Sequence, residues 1–545
     1  MNESLVSDET TSVSFDEGIE EIEKHIAQGS SKIHIGGLRE ASRALFLVRL
    51  VQSISKPVVV LTPNQNIGER LIGDLRYFCR YEKVKKTFRY FSSWGILPYE
   101  NISPSSEIMG ERLEILHQLQ HNEISLLVVP VDSFMQCVVP RHELTGQTFS
   151  FEIGENIERE FLETCLLDNG FIRMPMVENR GHFSVRGDII DLYPPSSTNP
   201  LRIEFFDNTI ESIREFDVNT QVSLKNIKKF KNLPVKELFP NVAQKKDGLR
   251  KIAQYAEEHE IDQHNLKELV DKIKHLDSFF GLEHLAPFFH DERETLFEYL
   301  SKDALIVLDE EGDVIAEVDK FCKIVVQEHN AACDRGDVVA SPDKLYMDLN
   351  EIKRRLGEKK IMAINSLNVE PRDNINSMRF DIKRNPAFLG NFEVLAKKIK
   401  ERENEGHKVV VVAPTEGQVK RVHELSGEYD LTIDVDRGYL SNGFSCSDLG
   451  LTFVSEHEIF GRTSKHRYRR KAISKSFQRG FKDLKPGNYL VHVDYGIGRY
   501  NGIRELETGI GGGEFLNITY ADDEKLYIPM DGLASIQKYV GSEDV

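Results

Sequence analysis

The sequence predicts an α/β protein of several domains: a parallel sheet with an inserted α+β module, a second small α/β domain and a small C-terminal β-barrel. Apolar runs such as "PVVVLTPN" alternate with helical stretches such as "GERLEILHQLQ", which is the pattern of a parallel sheet flanked by helices. Near residue 180 the pattern changes to short alternating strands joined by tight turns. With 545 residues, the chain is also long enough for about three or four domains.

The N-terminal half divides into three regions. Strands and helices alternate in residues 1–144. Two hairpins, "HFSVRGDIIDLYPP" and "PLRIEFFDNTIESIREFD", with turns at Gly187-Asp188 and Asp207-Asn208, place the inserted module in residues 145–233. Helical stretches and the buried strand "ALIVLDE" then return in residues 234–347, so we expect the first sheet to resume there.

The C-terminal half divides into three more. A helix, a strand and a helix in "NFEVLAKKIKERENEGHKVVVVAPTEGQVKRVHELS" indicate the second small α/β domain, residues 348–460. A basic linker follows in residues 461–480. Residues 481–545 contain several short strands separated by glycine or Asp-Asp turns, which favours a strongly bent barrel.

Composition is typical of a soluble globular protein, with 40% hydrophobic and 29% charged residues. No apolar run is long enough to span a membrane, and the acidic start "MNESLVSDETTSVSFDEG" lacks the features of a signal peptide. We therefore expect a cytoplasmic protein without membrane contact. The six cysteines form no CxxC pair, so we expect buried apolar fillers and neither a zinc site nor a disulfide framework.

A net charge of −18 argues against a chain that coats nucleic acid, because phosphate contacts require Lys and Arg. One stretch is an exception. Ten Lys or Arg residues lie between Arg462 and Lys485, in "RTSKHRYRRKAISKSFQRGFKDLK", against the single acid Asp483. Either this stretch is a solvated linker or it makes a weak DNA or partner contact.

The stretch "SKIHIGGLREASRALFLVRL" has the strand, glycine turn and helix of a nucleotide-binding loop. A P-loop requires G-x-x-x-x-G-K-[ST], whose lysine and hydroxyl hold the phosphates and magnesium. Counting from Gly36 puts Ala41, Ser42 and Arg43 in the last three places, and counting from Gly37 shifts each place by one residue. Neither register fits. We interpret Gly36, Gly37, Ser42 and Arg43 as a degenerate, P-loop-like remnant and expect no tight ATP binding.

Other candidate catalytic features have plainer interpretations. Asp309 and Glu310 end the strand in "LIVLDEEGD" as magnesium ligands would, but without a phosphate cradle we expect solvated acids. The glycines of "GIGRY" are expected to form a hairpin turn, and His492 to be a packed strand residue. Neither a catalytic triad nor a metal cluster is indicated, so we predict no catalytic residue, metal or cofactor.

Two surfaces remain as candidates for binding proteins. In the inserted module, Arg173, Arg180, Phe183 and Arg186 combine three guanidinium groups with an aromatic ring, a mixture favoured at interface hot spots. The alternative is a set of ordinary surface arginines.

The second candidate surface is the strand "GEFLNITYA" in the C-terminal barrel. Phe515 and Asn517 alternate there with Leu516 and Ile518. A barrel this small leaves edges uncovered, so we expect an edge strand that pairs with another protein. The sequence does not tell which face of the strand is exposed.

Four stretches together resemble the bacterial transcription-repair coupling factors, in the same order and over nearly the whole chain. They are "FSSWGILPYENISPSSEIMGERLEIL", "VRGDIIDLYPP…LRIEFFDNTIESIREFD", "EHEIFGR" with the basic linker, and "GNYLVHVDYGIGRY…EKLYIPMDGLASIQKYVG". The first half of that family is similar to excinuclease B. The resemblance implies that the nucleotide fold is vestigial and serves as a scaffold.

The resemblance also implies two protein partners. The module at residues 145–233 would dock excinuclease A, with Arg173, Arg180, Phe183 and Arg186 as candidate contacts. Residues 481–545 would form a Tudor-like, CarD-like domain that binds the β subunit of RNA polymerase. Its candidate contacts are Phe515, Leu516, Ile518 and Tyr527.

Members of this family continue into a DNA translocase motor, which uses ATP, and an autoinhibitory domain. The 545 residues end at "GSEDV", where that motor would begin, so we expect no ATPase in this chain. The leading hypothesis is the recruitment portion of a transcription-coupled repair factor. The alternatives are a CarD-like transcription regulator that acts through the barrel alone, and an excinuclease-B-like DNA repair ATPase.

Overall fold

The computed structural model describes residues 13–100, 102–275, 279, 281–290, 292–366, 376–388, 390–431, 433–461, 484–492, 495–507, 512–520, 524–529 and 536–538. The architecture is mixed α/β, with a parallel sheet and smaller sheets that are mainly antiparallel or mixed. None of the helices in these residues is both long and apolar enough to cross a bilayer.

The first part of the chain alternates strands and helices, as predicted. Its elements are α1 (Phe15–Ala27), β1 (Lys32–Gly36), α2 (Ser42–Ser53), β2 (Val58–Thr62), α3 (Gln65–Tyr81), β3 (Phe88–Tyr90), α4 (Ser106–Gln120), β4 (Leu126–Pro130), α5 (Val131–Met135), β5 (Cys137–Val138) and α6 (Arg141–Gly146). Every residue of β2 and β4 is buried. Strands buried on both faces are typical of a parallel sheet covered by helices.

The inserted module follows. Its elements are β6 (Phe149–Glu152), α7 (Arg159–Asp168), β7 (Ile172–Arg173), β8 (His182–Arg186), β9 (Ile189–Leu192), β10 (Leu201–Phe206), β11 (Thr209–Phe216), β12 (Ser223–Asn226) and β13 (Lys229–Asn232). Six strands form one sheet in the order β12-β11-β10-β9-β8-β7, and β6 pairs with β13. The predicted turns at Gly187-Asp188 and Asp207-Asn208 join β8 to β9 and β10 to β11. The module has its own core, to which α7 contributes Leu162 and Leu166.

The parallel sheet resumes after the module. The elements are α8 (Val242–Glu258), α9 (Gln263–His275), a 3₁₀ turn (Leu282–Leu285), α10 (Ala286–Phe289), β14 (Glu294–Thr295), α11 (Leu296–Tyr299), β15 (Leu305–Asp309), α12 (Glu311–Asp334), α13 (Pro342–Leu345), α14 (Leu349–Gly357), β16 (Lys360–Asn365) and β17 (Asn376–Arg379). The sheet has seven strands in the order β17-β1-β16-β15-β2-β4-β3. All adjacent pairs in it are parallel.

A second, smaller α/β unit comes next. Its elements are β18 (Ile382–Arg384), α15 (Phe392–Asn404), β19 (Lys408–Ala413), α16 (Glu416–Glu428), β20 (Asp434–Arg437), β21 (Phe444–Cys446), β22 (Leu451–Ser455) and α17 (Glu456–Phe460). The sequence places the start of this unit at residue 348, yet β16 and β17 lie beyond that point and belong to the first sheet. An apolar strand such as β16 fits either sheet by its pattern, and only the spatial pairing decides.

The last unit is a five-stranded antiparallel sheet. Its strands are β23 (Tyr489–His492), β24 (Gly496–Glu507), β25 (Gly512–Thr519), β26 (Lys525–Pro529) and β27 (Ile536–Lys538). Their order is β26-β25-β24-β23-β27. The glycines of "GIGRY" do not form the predicted turn, because Gly496 and Gly498 lie in β24 and pair with β23. His492 is a buried residue of β23, as predicted.

Two units of the protein attach to the segment between β3 and the middle of α4. Ile102 belongs to the core of the C-terminal sheet, and Ile96 packs against that core. On α4, the Cα of Gly110 lies so close to the module that an added Cβ would stand 2.2 Å from Cβ of Pro195. This segment therefore positions both units relative to the parallel sheet.

We expect Gly110→Ala to weaken the seating of the module on α4. The methyl group would overlap Pro195 and its backbone, so the packing must shift, at a cost of about 1–3 kcal/mol. Thermal unfolding and limited proteolysis of the full chain measure this loss. Gly417→Ala is the matched control, because Gly417 is also helical and an added Cβ there meets open space. Equal stability of the two variants would contradict the packing described.

Candidate functional site

The degenerate nucleotide loop lies at the C-terminal end of β1, at the edge of the parallel sheet where ligands of such sheets usually bind. Gly36 ends the strand, and Gly37 has a φ of +83°. A Cβ at Gly37 would stand 2.0 Å from the backbone oxygen of Phe380, so the chain that follows β17 closes over the turn. The hydroxyl of Ser42 forms its hydrogen bonds within the same turn: it accepts the N–H of Arg39 and donates to the carbonyl of Arg39.

Arg43 reaches across this edge and pairs with two carboxylates at the end of β15. Its guanidinium donates to Asp309 and to Glu310, and also to Ser366 Oγ at 2.8 Å. Glu310 in turn accepts the backbone N–H of Ser366 at 2.9 Å. Burial by itself lowers the pKa of Arg43, but the charges of Asp309 and Glu310 outweigh it and raise the pKa above its ordinary value.

The prediction that Asp309 and Glu310 are solvated acids is therefore wrong. Asp309 is buried, and both carboxylates form ion pairs with Arg43. The sequence shows an acid at a strand end but not the cation that lies 266 residues earlier. In this arrangement a positively charged side chain occupies the loop and pairs with the acids of the strand end, so neither is presented to a phosphate or a metal ion.

We expect Arg43→Ala to destabilise the protein by about 3–5 kcal/mol, because it leaves the buried carboxylate of Asp309 without its counter-ion. Chemical denaturation monitored by circular dichroism measures the loss. Arg354→Ala serves as the control: Arg354 pairs with Glu358 on an exposed helix surface, and its removal should change the midpoint little. A similar small effect for both variants would mean that the Arg43 pair contributes nothing to the fold.

A second buried acid, Asp74 of α3, lies where the first sheet meets the smaller α/β unit. It accepts the backbone N–H of Ser441 at 2.7 Å and the Ser441 hydroxyl at 2.5 Å. Burial raises the pKa of Asp74 to about 7, against the opposing effect of these two hydrogen bonds. The two units also share one apolar core, in which Phe78 contacts Phe444 and Phe453.

This raised pKa makes the junction sensitive to pH. The folded-state pKa of about 7 exceeds the ordinary value of 3.8, so the stability from protonated Asp74 is complete below about pH 4 and is lost as the pH rises through about 7. We expect Asp74→Asn, which stays neutral, to gain in unfolding midpoint relative to the wild type from about pH 4 to 7 and to hold that gain above. Thermal unfolding across this pH range tests it. A difference independent of pH would show that Asp74 does not titrate there.

The candidate arginines of the module do not form one patch. Arg186 is 51% exposed and pairs with Asp191 at 2.8 Å on the open face of the sheet. Arg173 pairs with Glu163 of α7, on the face that this helix covers. Arg180 lies at the junction with the parallel sheet, where it donates to the Pro195 carbonyl and pairs with Glu107 of α4 at 3.4 Å.

Phe183 must be removed from the candidate contacts. Its side chain is completely buried in the core of the module, beside Leu192 on the neighbouring strand. The alternation of β8 explains the error, because Phe183 and Arg186 are three residues apart and point to opposite faces. Of the four candidates, Arg186 has the most exposed side chain on the open face.

The junction of the module contains a residue that the sequence analysis missed. Arg112 of α4 is fully buried and pairs with Glu237, on the segment by which the chain returns from the module. Trp94 also donates to Glu237, at 3.3 Å, and the Arg112 guanidinium lies 4.2 Å from the ring centroid of Phe91. An arginine among the apolar positions of "GERLEIL" signals a buried partner, but the sequence does not identify an acid 125 residues away.

In the C-terminal sheet, the strand predicted to be an edge is an inner strand. β25 pairs with β24 on one side and β26 on the other. Leu516 and Ile518 are completely buried, so they are core residues and not partner contacts. Phe515 and Tyr527 are half-buried. The sequence did not tell which face of this strand is exposed. The structure shows that the face carrying Leu516 and Ile518 is the core face.

On the other side of the sheet, β24 extends beyond its neighbour β23. β23 pairs with residues 496–499, and the last ladder bonds on that side join Asn488 and Gly487 to Tyr500. Beyond a register shift, residues 503–507 pair with β25 alone among the strands that the structure describes. Ile503 is 43% exposed there. Within the described ranges, no strand pairs with this side of residues 503–507, and such an edge is of the kind that binds an added strand.

Three further expectations concern the rest of the chain. Cys165 and Cys446 are buried as expected, whereas Cys333 is exposed, so the expectation is wrong for that residue. In the described ranges, no three His, Cys, Asp or Glu side chains gather as a metal ion would require. Residues 462–483, which include all of the basic linker except Gly461, lie outside the described residues, and a DNA contact there stays a prediction.

The geometry is that of a multidomain protein in which two separately cored units, the module and the C-terminal sheet, are attached to a parallel-sheet body. Comparison with known proteins assigns both units. Residues 149–238 match the family described as UvrB interaction domain, and residues 484–540 match the CarD-like/TRCF RID domain.

Similarity to curated proteins extends over 95% of the chain. A transcription-repair-coupling factor of Staphylococcus haemolyticus (strain JCSC1435) is 27% identical over 548 residues, one of Staphylococcus epidermidis (strain ATCC 12228 / FDA PCI 1200) is 27% identical over 547 residues, and one of Staphylococcus aureus (strain USA300) is 26% identical over 549 residues. The chain covers 46% of each relative, about half its length. These matches confirm the predicted resemblance to the N-terminal half of the transcription-repair coupling factors.

Proposed function

We propose that this chain is the recruitment portion of a transcription-coupled DNA repair factor, binding RNA polymerase at one unit and excinuclease A at another. The observation that carries the proposal is that the two matched interaction-domain families coincide with the two separately cored units. The proposal places the protein in the cytoplasm, with the transcription machinery. The remaining body, residues 1–144 and 234–460, acts as a scaffold.

The polymerase contact is proposed at this edge of β24. Residues 484–540 would form a Tudor-like domain, and a strand of the polymerase β subunit would pair with residues 503–507. Strand addition takes its affinity from backbone hydrogen bonds and its specificity from alternate side chains. Ile503, at the start of this edge and partly exposed, would contact the added strand. Tyr527, on the outer strand β26, is the second candidate.

The contact with excinuclease A is proposed on the open face of the module sheet. Arg186 lies there half-exposed, and Phe206, which ends β10, is 69% exposed near the same hairpin turns. An arginine beside an exposed aromatic ring is the combination that dominates many interfaces. Arg173 is the alternative, on the opposite face. Arg180 has a positioning role, because it holds the module to α4.

The scaffold would have no ATPase of its own. The degenerate P-loop-like turn contains Arg43 where nucleotide phosphates would need an open cradle, and Arg43 is engaged in ion pairs with Asp309 and Glu310. These contacts support the expectation that this chain neither binds ATP tightly nor hydrolyses it. Titration with Mg-ATP measures the first property directly.

The experiment is a paired binding measurement on the full chain, with purified RNA polymerase and purified excinuclease A. We expect Ile503→Asp to weaken polymerase binding by about tenfold or more and to leave excinuclease A binding unchanged. Arg186→Glu should have the opposite pattern. Ile497→Asp is the matched control for the first variant, since Ile497 is also an exposed isoleucine of β24 but lies where β23 already pairs.

The outcomes separate the hypotheses. A chain that binds neither partner contradicts the proposed function. Binding of polymerase alone would favour a CarD-like regulator, in which the module has no recruiting role. Equal effects of Ile503→Asp and Ile497→Asp would exclude strand addition at residues 503–507. If Arg173→Glu and not Arg186→Glu weakens excinuclease A binding, the contact lies on the helix side of the module. Circular dichroism must show that every variant is folded.

A further inference from the structure

The outer strand of the module sheet, β12, is fully accessible. It ends the strand order on that side, and all four of its residues are exposed. Two apolar side chains are exposed here: Val222, which precedes the strand, is 60% exposed, and Leu224 is 54% exposed. Exposed apolar residues on an unpaired edge are unusual, because such an edge invites pairing with another chain.

The backbone of this edge is available as well. Ile227 donates its N–H to the carbonyl of Ile213 on β11, at 2.9 Å. In an antiparallel ladder the direction of the backbone groups alternates, and Asn226 lies opposite Arg214 as the next pair. Asn226 therefore directs its N–H and C=O away from β11, toward the outside of the sheet.

The charge of this edge is opposite to that of the protein. The stretch "VSLKNIKKFKN", residues 222–232, contains four lysines and no acid, in a chain with a net charge of −18. Lys225 is 3.0 Å from Glu215 of β11, and Lys229 lies opposite Glu152 of β6. Lys228 and Lys231 are exposed on the same stretch and add positive charge.

These charges select the kind of chain that fits. Pairing of β12 with β12 of a second copy would bring Lys225 and the three lysines that follow it close to those of the other copy, and like charges on paired strands are destabilising. An incoming strand with acids opposite the lysines and apolar side chains opposite Leu224 satisfies both features. We propose that β12 and the lysines that follow it, residues 222–231, form a docking edge for an extended acidic segment of a partner protein. This edge is separate from the sites of the proposed function.

The test uses a fluorescent peptide of about ten residues in which Glu alternates with Val or Thr, a length that covers one strand. We expect it to bind the full chain, and binding to weaken as NaCl is raised from about 0.1 M to about 0.5 M. The combined variant Lys225→Glu, Lys228→Glu and Lys229→Glu should lose about tenfold or more in affinity. Its control is Lys320→Glu, Lys323→Glu and Lys420→Glu, which places the same charge changes on exposed helical lysines.

A backbone variant distinguishes strand pairing from general charge attraction. Asn226→Pro removes the outward N–H but no ladder bond to β11, and proline is tolerated on edge strands. It should lose binding, whereas Asn226→Ala, which keeps the N–H, should retain it. Circular dichroism and the unfolding midpoint check that both variants fold.

Four results would overturn the proposal: no binding of the Glu peptide, equal binding of a peptide with Lys in place of Glu, full binding by a folded Asn226→Pro variant, or tighter binding of duplex DNA that displaces the peptide. The last would identify a nucleic-acid site instead.

Discussion

The ion pairs between Arg43 and the carboxylates of Asp309 and Glu310 close the C-terminal edge of the parallel sheet. These side chains come from α2 and from the end of β15, and Ser366 adds a contact from the segment after β16. In sheets of this kind, the same edge ordinarily receives a ligand. Here the guanidinium supplies the positive charge internally, so the edge is complete without a bound molecule.

The same edge of the sheet is also where the smaller α/β unit packs. The smaller α/β unit shares the aromatic core around Phe78 and closes on Asp74 through Ser441. Arg384 of β18 pairs with Glu40 in the degenerate loop, at 2.8 Å. In a working nucleotide site such contacts would have to open and close. The buried contacts at this junction join the smaller α/β unit to the parallel sheet as one packed body.

Much of the fold is predictable from sequence because local patterns determine it. The buried strands β2 and β4, the hairpin turns at Gly187 and Asp207, and the lack of a Gly-Lys-hydroxyl loop are all local. What sequence reasoning missed depends on distant partners: Arg43 with Asp309, Arg112 with Glu237, and β25 enclosed between two strands. The core position of Phe183 shows the same limit, because an arginine-rich stretch does not tell which face of a strand is inside.

The segment from Trp94 to Arg112 has a mechanical consequence. Ile96 and Ile102 pack in the core of the C-terminal sheet. A few residues later, on α4 and at its start, the module is contacted by Glu107, Gly110 and Arg112. A force applied at one unit and resisted at the other is transmitted in part through this short stretch. Its deepest anchor, Arg112 on Glu237, is a double hydrogen bond enclosed by aromatic rings, which resists shear better than an exposed pair. The seating of the module and that of the C-terminal sheet are therefore mechanically coupled through residues 94–112.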